Sequence, residues 1–127
     1  MKVKVEVPGV YPSLNEFINA DRIRRGSWSK GNVLKHECQA QIIPHIKAAI
    51  KKELKTPISL HYTFFCPNAK KDKDNVASFF TKIFQDSLVV GGVLHNDGWN
   101  DIKSYRYDFE IDKDYPRVEV EITEIGA

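Results

Sequence analysis

Between Ile58 and Val90 the hydrophobic period of the chain switches from two to 3.6. Ile58, Leu60, Tyr62, Phe64 and Cys66 alternate with Ser59, His61, Thr63 and Phe65, the pattern of a strand with one face on a core. Pro67 and Asn68 stop it. From 75 to 90, Val76, Phe79, Phe80, Ile83, Phe84 and Leu88 fall on one helical stripe, with Ser78, Lys82, Gln85 and Asp86 on the other side. Asp74 or Asn75 is the expected N-cap. A half-buried strand followed by an amphipathic helix commits the chain to helices laid on a sheet.

The remaining elements fit that frame. Lys2–Val7 alternates charge and valine, a strand and not a signal peptide, and Gly9, Pro12 and Ser13 end it. Residues 15–31 read as a polar loop, long enough to be functional or mobile. Residues 32–54 carry helical spacing, with Asn32 as N-cap and Pro44 predicting a kink or a division into two helices. Val93-Leu94 is a candidate short strand. Residues 102–111 and 117–124 read as strands joined by Asp112–Pro116, which predicts an antiparallel hairpin. The order β, α, β, α, β, β gives an α+β fold: one domain over 1–127, a mixed sheet of about four to five strands, and two main helices packed on it.

Composition matters here for what it excludes. Hydrophobic residues are 42% and charged residues 28%, a globular rather than a disordered balance. No apolar run approaches the roughly 18 residues of a membrane helix, so no membrane partner and a cytoplasmic location are expected. Cys38 and Cys66 form no C-x-x-C pair and are expected to be reduced.

The chemistry gathers around the 75–90 helix. Asp72 and Asp74 precede it; two apart, they would share one face of an extended segment. Asp97 follows it, after a Gly91-Gly92 turn that can return the chain toward the helix start. Converging carboxylates suit a hard cation such as Mg²⁺, which needs one or two of them and takes the rest of its oxygens from water and phosphate. Lys82, on the helix between them, is placed to neutralise charge growing on a phosphate. Net charge is only +2, but Arg22, Arg24, Arg25, Lys30 and Lys35 lie in one stretch, with Trp28 among them, and Lys70, Lys71 and Lys73 surround the first carboxylates. Cations beside an acidic cluster suit a polyanion that approaches a metal. Each piece also has a plain structural use. Asp and Asn make turns and caps, Lys82 and Asp86 make an i,i+4 ion pair, Asn96-Asp97-Gly98 is a good turn, and exposed lysines are ordinary surface. His95 stands near the acidic turn; His36, His45 and His61 have no ligand-like spacing.

Taken in order, Asp72-x-Asp74-Asn75, Lys82-x-x-x-Asp86-Ser87-Leu88 and Gly92-Val93-x-x-x-Asp97 resemble the RusA family of Holliday junction resolvases, whose pattern is D-x-D-N, K-x-x-x-D-A-L, G-hydrophobic, then D-D. Pro12-Ser13-Leu14-Asn15 is similar to the family's P-S-x-N segment, and Val118–Glu124 to its closing strand. The resemblance implies a small homodimeric α+β endonuclease, of a kind often encoded by prophages. Such enzymes use Mg²⁺ or Mn²⁺ to cut four-way DNA junctions by paired symmetrical incision, in DNA recombination and repair. By position it implies Asp72, Asp74 and Asp97 as metal-binding and catalytic aspartates and Lys82 as the catalytic lysine. The charge map then implies Arg22, Arg24, Arg25, Lys30, Lys70, Lys71 and Lys73 on DNA. The chain departs from the pattern twice. Asn96 replaces one carboxylate of the D-D pair. Lys82 sits one helical turn beyond the family's usual spacing, at which Ser78 stands. A junction-binding dimer with weak or no nuclease activity is the alternative that Asn96 raises.

Overall fold

The core is a four-stranded mixed sheet carrying helices on one face, seen in a computed structural model that describes residues 1–125. In chain order the elements are β1 (Lys2–Pro8), α1 (Leu14–Asp21), β2 (Arg24–Arg25), β3 (Trp28–Ser29), α2 (Lys30–Ala49), β4 (Ile58–Cys66), α3 (Lys73–Val90), β5 (Ile102–Ile111) and β6 (Arg117–Glu124). The large sheet runs β1-β6-β4-β5; β2 and β3 form a separate small hairpin. The α+β expectation holds. No helix among the described residues is long and apolar enough to cross a membrane.

The alternation in β1, β4 and β6 does what it predicts. Val5, Val7, Leu60, Tyr62, Phe64, Val118, Val120 and Ile122 are buried on the helix side. The α3 stripe of Phe79, Phe80, Ile83, Phe84 and Leu88 lies against them, with Cys38, Ile42 and Ile46 of α2 completing the core. Tyr62 is fully buried, and its hydroxyl accepts a hydrogen bond from the Gln85 side chain at 3.2 Å. Thr81 donates to the Ala77 carbonyl, so its contact with Tyr107 at 2.8 Å is a bond donated by the tyrosine.

Several expectations are corrected. The 102–111 and 117–124 strands do not form a hairpin: β5 pairs parallel with β4, and β6 is inserted antiparallel between β1 and β4. Burial explains this. Val118, Val120 and Ile122 of β6 are aliphatic and buried, which suits a central strand, whereas β5 is exposed along most of its length and takes the edge. Arg117 fixes the crossing. Its guanidinium lies 3.7 Å from the Phe65 ring centroid on β4 and bonds Glu119 at 2.8 Å and Asp112 at 2.9 Å. Asp112 also accepts the Asp114 and Tyr115 N–H groups, which closes the turn between β5 and β6.

The 15–31 segment is not a loop. It is α1 followed by the small hairpin, whose turn uses Gly26 at φ 59°. The second helix begins at Lys30 with Ser29, not Asn32, as its cap; Ser29 Oγ accepts the Asn32 N–H at 3.0 Å. It ends at Ala49 rather than 54, and Pro44 lies within it without dividing it. Val93 and Leu94 are buried but belong to a turn: Leu94 N–H bonds the Leu88 carbonyl, and the Val93 carbonyl accepts from Leu54.

The start of α2 passes close under α1. A Cβ on Gly31 would stand 2.6 Å from Asp21 Cβ and 2.8 Å from Asp21 Cα. Gly31→Ala is therefore expected to destabilise the fold by about 1–2 kcal/mol, because overpacking outweighs alanine's better helix propensity. Urea denaturation measures this, and a stabilised variant would contradict the close approach.

Candidate functional site

The N-terminal end of α3 is assembled from two distant segments. Ser13 begins α1 with a reciprocal capping box. Its hydroxyl accepts the Glu16 N–H at 3.2 Å, and the Glu16 carboxylate accepts the Ser13 N–H at 3.3 Å. The same carboxylate is ion-paired with Lys71, in the loop that leads into α3. One residue before Glu16, the Asn15 N–H donates to Asn75 Oδ1 at 2.9 Å. Below these polar links Phe17 stacks on Phe79 at 5.0 Å, and Tyr11 meets Phe80 edge-on at 5.2 Å. The hydrogen bond is worth about 1 kcal/mol and each aromatic pair about 0.5–1.5 kcal/mol beyond its burial; the exposed ion pair adds little. Together they strap α1 across the first turns of α3.

The acidic run sits at that strapped end. Asp72 is the N-cap, in extended conformation, and its carboxylate makes no capping bond. That carboxylate has no ion pair or hydrogen bond among the described residues and is exposed, while the Asp72 carbonyl accepts the Val76 N–H at 3.1 Å. The helix starts at Lys73, two residues earlier than expected, so Asp74 lies in its first turn. The shared face of an extended segment therefore does not apply to Asp72 and Asp74. Asp74 Oδ1 accepts the Asn75 N–H at 2.9 Å, and its carbonyl accepts the Ser78 hydroxyl at 2.6 Å. Ser78 is thus engaged with the helix backbone. Lys73 Nζ lies 5.6 Å from the Phe109 ring centroid of β5.

Lys82, exposed on the same helix, pairs with Asp86 at 3.1 Å. The hydrogen bond to Asp86 and that carboxylate's charge raise the lysine pKa, with Asp97 adding a smaller push. Lys82 therefore remains an ammonium, suited to neutralising negative charge and not to accepting a proton. Asp97 is partly buried in the turn after α3. There Asn96 Oδ1 accepts the Asp97 N–H at 2.9 Å, and Asp101 accepts the Gly98 N–H at 3.0 Å. Asn96, at the position where the family resemblance has a carboxylate, serves its own turn.

The residues picked from sequence thus fall into two groups along α3: Asp72 and Asp74 at its start, and Lys82, Asp86 and the charge of Asp97 further along. Lys82 is just over two turns on from Asp74, about 12 Å of helical rise. No three or more His, Cys, Asp or Glu side chains among the described residues stand close enough to share an ion. The donor chemistry, exposed carboxylate oxygens with Asp72 unengaged, does fit a hard cation that keeps part of its water shell.

Of the basic residues, Arg24 is paired with Asp21 at 2.6 Å, Arg22 reaches Asn19 at 3.4 Å, and Lys71 is held by Glu16. Arg25, Lys30 and Lys70 are exposed and make no ion pair among the described residues. Arg25 stands opposite Trp28 in the hairpin, where the indole is 47% exposed. Sequence reading passed over Asn75 as a link between segments, Asp101 as a turn former, and Trp99, which is 95% exposed two residues after Asp97. The Ser13-x-x-Glu16 capping signature was legible; the pairing of Asn15 with Asn75 has no local signal. A cleft of about 200 Å³ between Tyr11, Phe64, Cys66, Val76, Phe80 and Arg117 lies behind Lys71, but none of the three aspartates lines it. No protein-family model matches the chain, and none of the curated proteins matches its sequence.

Lys71, together with Ser13, lowers the Glu16 pKa against the opposing effect of burial. A lowered carboxylate pKa gives stability that is complete above the ordinary value of 4.5 and is lost as pH falls through the folded value. Thermal unfolding between neutral pH and about pH 3 is expected to show Glu16→Gln losing less stability on acidification than the parent chain; identical acid profiles would remove the Lys71 link from the strap.

Proposed function

We propose that this protein is a metal-dependent endonuclease acting on branched DNA, with four-way junctions as its substrate. The observation that carries the reading is the meeting of residues 12–15 with residues 72–75. These are the two segments that resemble the resolvase pattern before the lysine, and they are joined by the Asn15–Asn75 hydrogen bond across 60 residues of chain. A shared sequence pattern whose parts touch is a unit, and here the unit surrounds two exposed aspartates.

In this reading Asp72, Asp74 and Asp97 would hold Mg²⁺ or Mn²⁺. When bound, the ion supplies Lewis-acid polarisation of a phosphodiester and a lowered pKa for an attacking water. The residues of the chain do the rest. Lys82, kept protonated by Asp86, offsets charge on the phosphate. The N-terminal end of α3, the positive end of the helix dipole, favours a phosphate oxygen over water. Arg22, Arg24, Arg25, Lys30, Lys70, Lys71 and Lys73 contact phosphates and set the position of the DNA, while selectivity for a junction comes from its shape. Trp28, between Arg25 and Lys30, stacks on an unpaired base. A homodimer presents two such sites to two equivalent strands.

The separation of the carboxylates and the engagement of Asn96 favour a second reading, a dimer that holds junctions and cuts them poorly. Cleavage of a labelled four-way junction beside linear duplex of the same sequence separates the two. Paired nicks in the junction alone, lost with EDTA, are expected. Asp74→Asn is expected to lower cleavage by at least about 10²-fold while leaving junction binding equal or tighter, since it removes a ligand and a charge that faces phosphate. Undiminished cleavage by Asp74→Asn would refute the metal assignment, and binding without cleavage in any metal would establish the second reading. Binding should also weaken steeply with salt, and Arg25→Ala or Lys30→Ala should each flatten the log–log slope by about one.

A further inference from the structure

The large sheet ends on one side in β5, which pairs with β4 and leaves its other edge open. The Asp112 N–H reaches the Cys66 carbonyl. In a parallel ladder alternate residues bond the same neighbour, so Ser104, Arg106, Asp108 and Glu110 turn their backbone groups toward β4. Tyr105, Tyr107, Phe109 and Ile111 turn theirs to the open edge. The opposite edge of the sheet, β1, is seven residues long and ends at Pro8, which cannot donate to a further ladder. By contrast β5 is ten residues long and contains no proline, and Tyr105 is 50% and Ile111 56% exposed along it.

We propose that β5 is the seam of a symmetric dimer: the β5 strands of two copies pair antiparallel, with Tyr107 opposite the partner's Tyr107. The charges select this register. It places Arg106 opposite the partner's Asp108, and by symmetry Asp108 opposite the partner's Arg106. Both are non-hydrogen-bonded pairs, in which side chains approach most closely. Centring on Arg106 sets two arginines face to face, centring on Asp108 sets two aspartates, and centring on Phe109 sets Asp108 against Glu110; like charges directly opposite are destabilising. Centring on Tyr105 shortens the overlap. Only the Tyr107 register gives nearly full overlap with two opposite-charge pairs and no like pair. On the helix side it also sets Tyr105 against the partner's Phe109, a favourable aromatic cross-strand pair. Asp108 meets His61 through Oδ2, which leaves Oδ1 for the arginine.

This inference deepens the dimeric part of the functional reading, and it stands on the strand rather than on nuclease chemistry. Because α3 touches β5 through Thr81–Tyr107 and Lys73–Phe109, the acidic runs of both copies would flank the two-fold axis. The test contains no DNA and no metal, so it fails separately from the nuclease assignment. Analytical ultracentrifugation of the full chain should show a dimer. Arg106→Asp and Asp108→Arg alone should each raise its dissociation constant by at least about tenfold, and the double swap should restore it. In the unaltered chain, amide exchange at Tyr105, Tyr107 and Phe109 should slow as protein concentration rises through the dissociation range. That readout decides the matter if a variant fails to fold. A monomer at every concentration, a dimer indifferent to both single reversals, or concentration-independent exchange at these amides would each overturn the proposal.

Discussion

The hydrogen bond from the Asn15 N–H to Asn75 joins the start of α1 to the start of α3, and the candidate site is built around that junction. The first helix has eight residues, none of them buried, well short of the ~12–15 residues at which an isolated helix becomes even marginal. It persists through what it touches: the capping box, the Glu16–Lys71 pair, and Phe17 against Phe79. The Arg25–Trp28 hairpin hangs from the end of α1, and Gly31 allows α2 to start beneath it. These contacts together set where the basic hairpin lies relative to the acidic start of α3.

The sheet supplies the rigid base for that arrangement. Putting β6 at the centre buries Val118, Val120 and Ile122 and leaves β5, with its tyrosines and mixed charges, on the edge. The β4–α3–β5 crossover then lays α3 on the core face of the sheet, with Lys82 on its outer side in solvent. Arg117, stacked on Phe65 and bonded to Asp112 and Glu119, holds the crossing that makes this order possible. The edge position of β5 follows from one choice, which strand takes the middle of the sheet.

What the sequence revealed follows from whether the controlling interactions are local. The periods of β4, α3 and β6 are local, and these strands and this helix lie where the residues predict. Strand order is a contest between distant segments for the middle of the sheet, and a short 112–116 connection reads as a hairpin although β6 belongs beside β1. The first helix was concealed by its polarity, since Leu14, Phe17 and Ile18 make too short a stripe to stand out; Ser13-x-x-Glu16 was the available sign. The same holds for the site. Asp72, Asp74, Lys82 and Asp97 were readable as a pattern along one helix, but the early start of α3 at Lys73 changes how Asp72 and Asp74 are directed, and Asn75 acts through a residue 60 positions away.

The claim that these aspartates serve one cation is tested most directly by titrating Mn²⁺ into isotopically labelled protein and following paramagnetic broadening of the backbone amides. The account predicts that low Mn²⁺ selectively broadens Asp72 through Asn75 together with Asp97, that excess Mg²⁺ reverses it, and that Asp74→Asn weakens it. Broadening confined to other acidic surface residues, or spread evenly over the molecule, would contradict the account and leave the acidic run as the cap and turn of an ordinary helix.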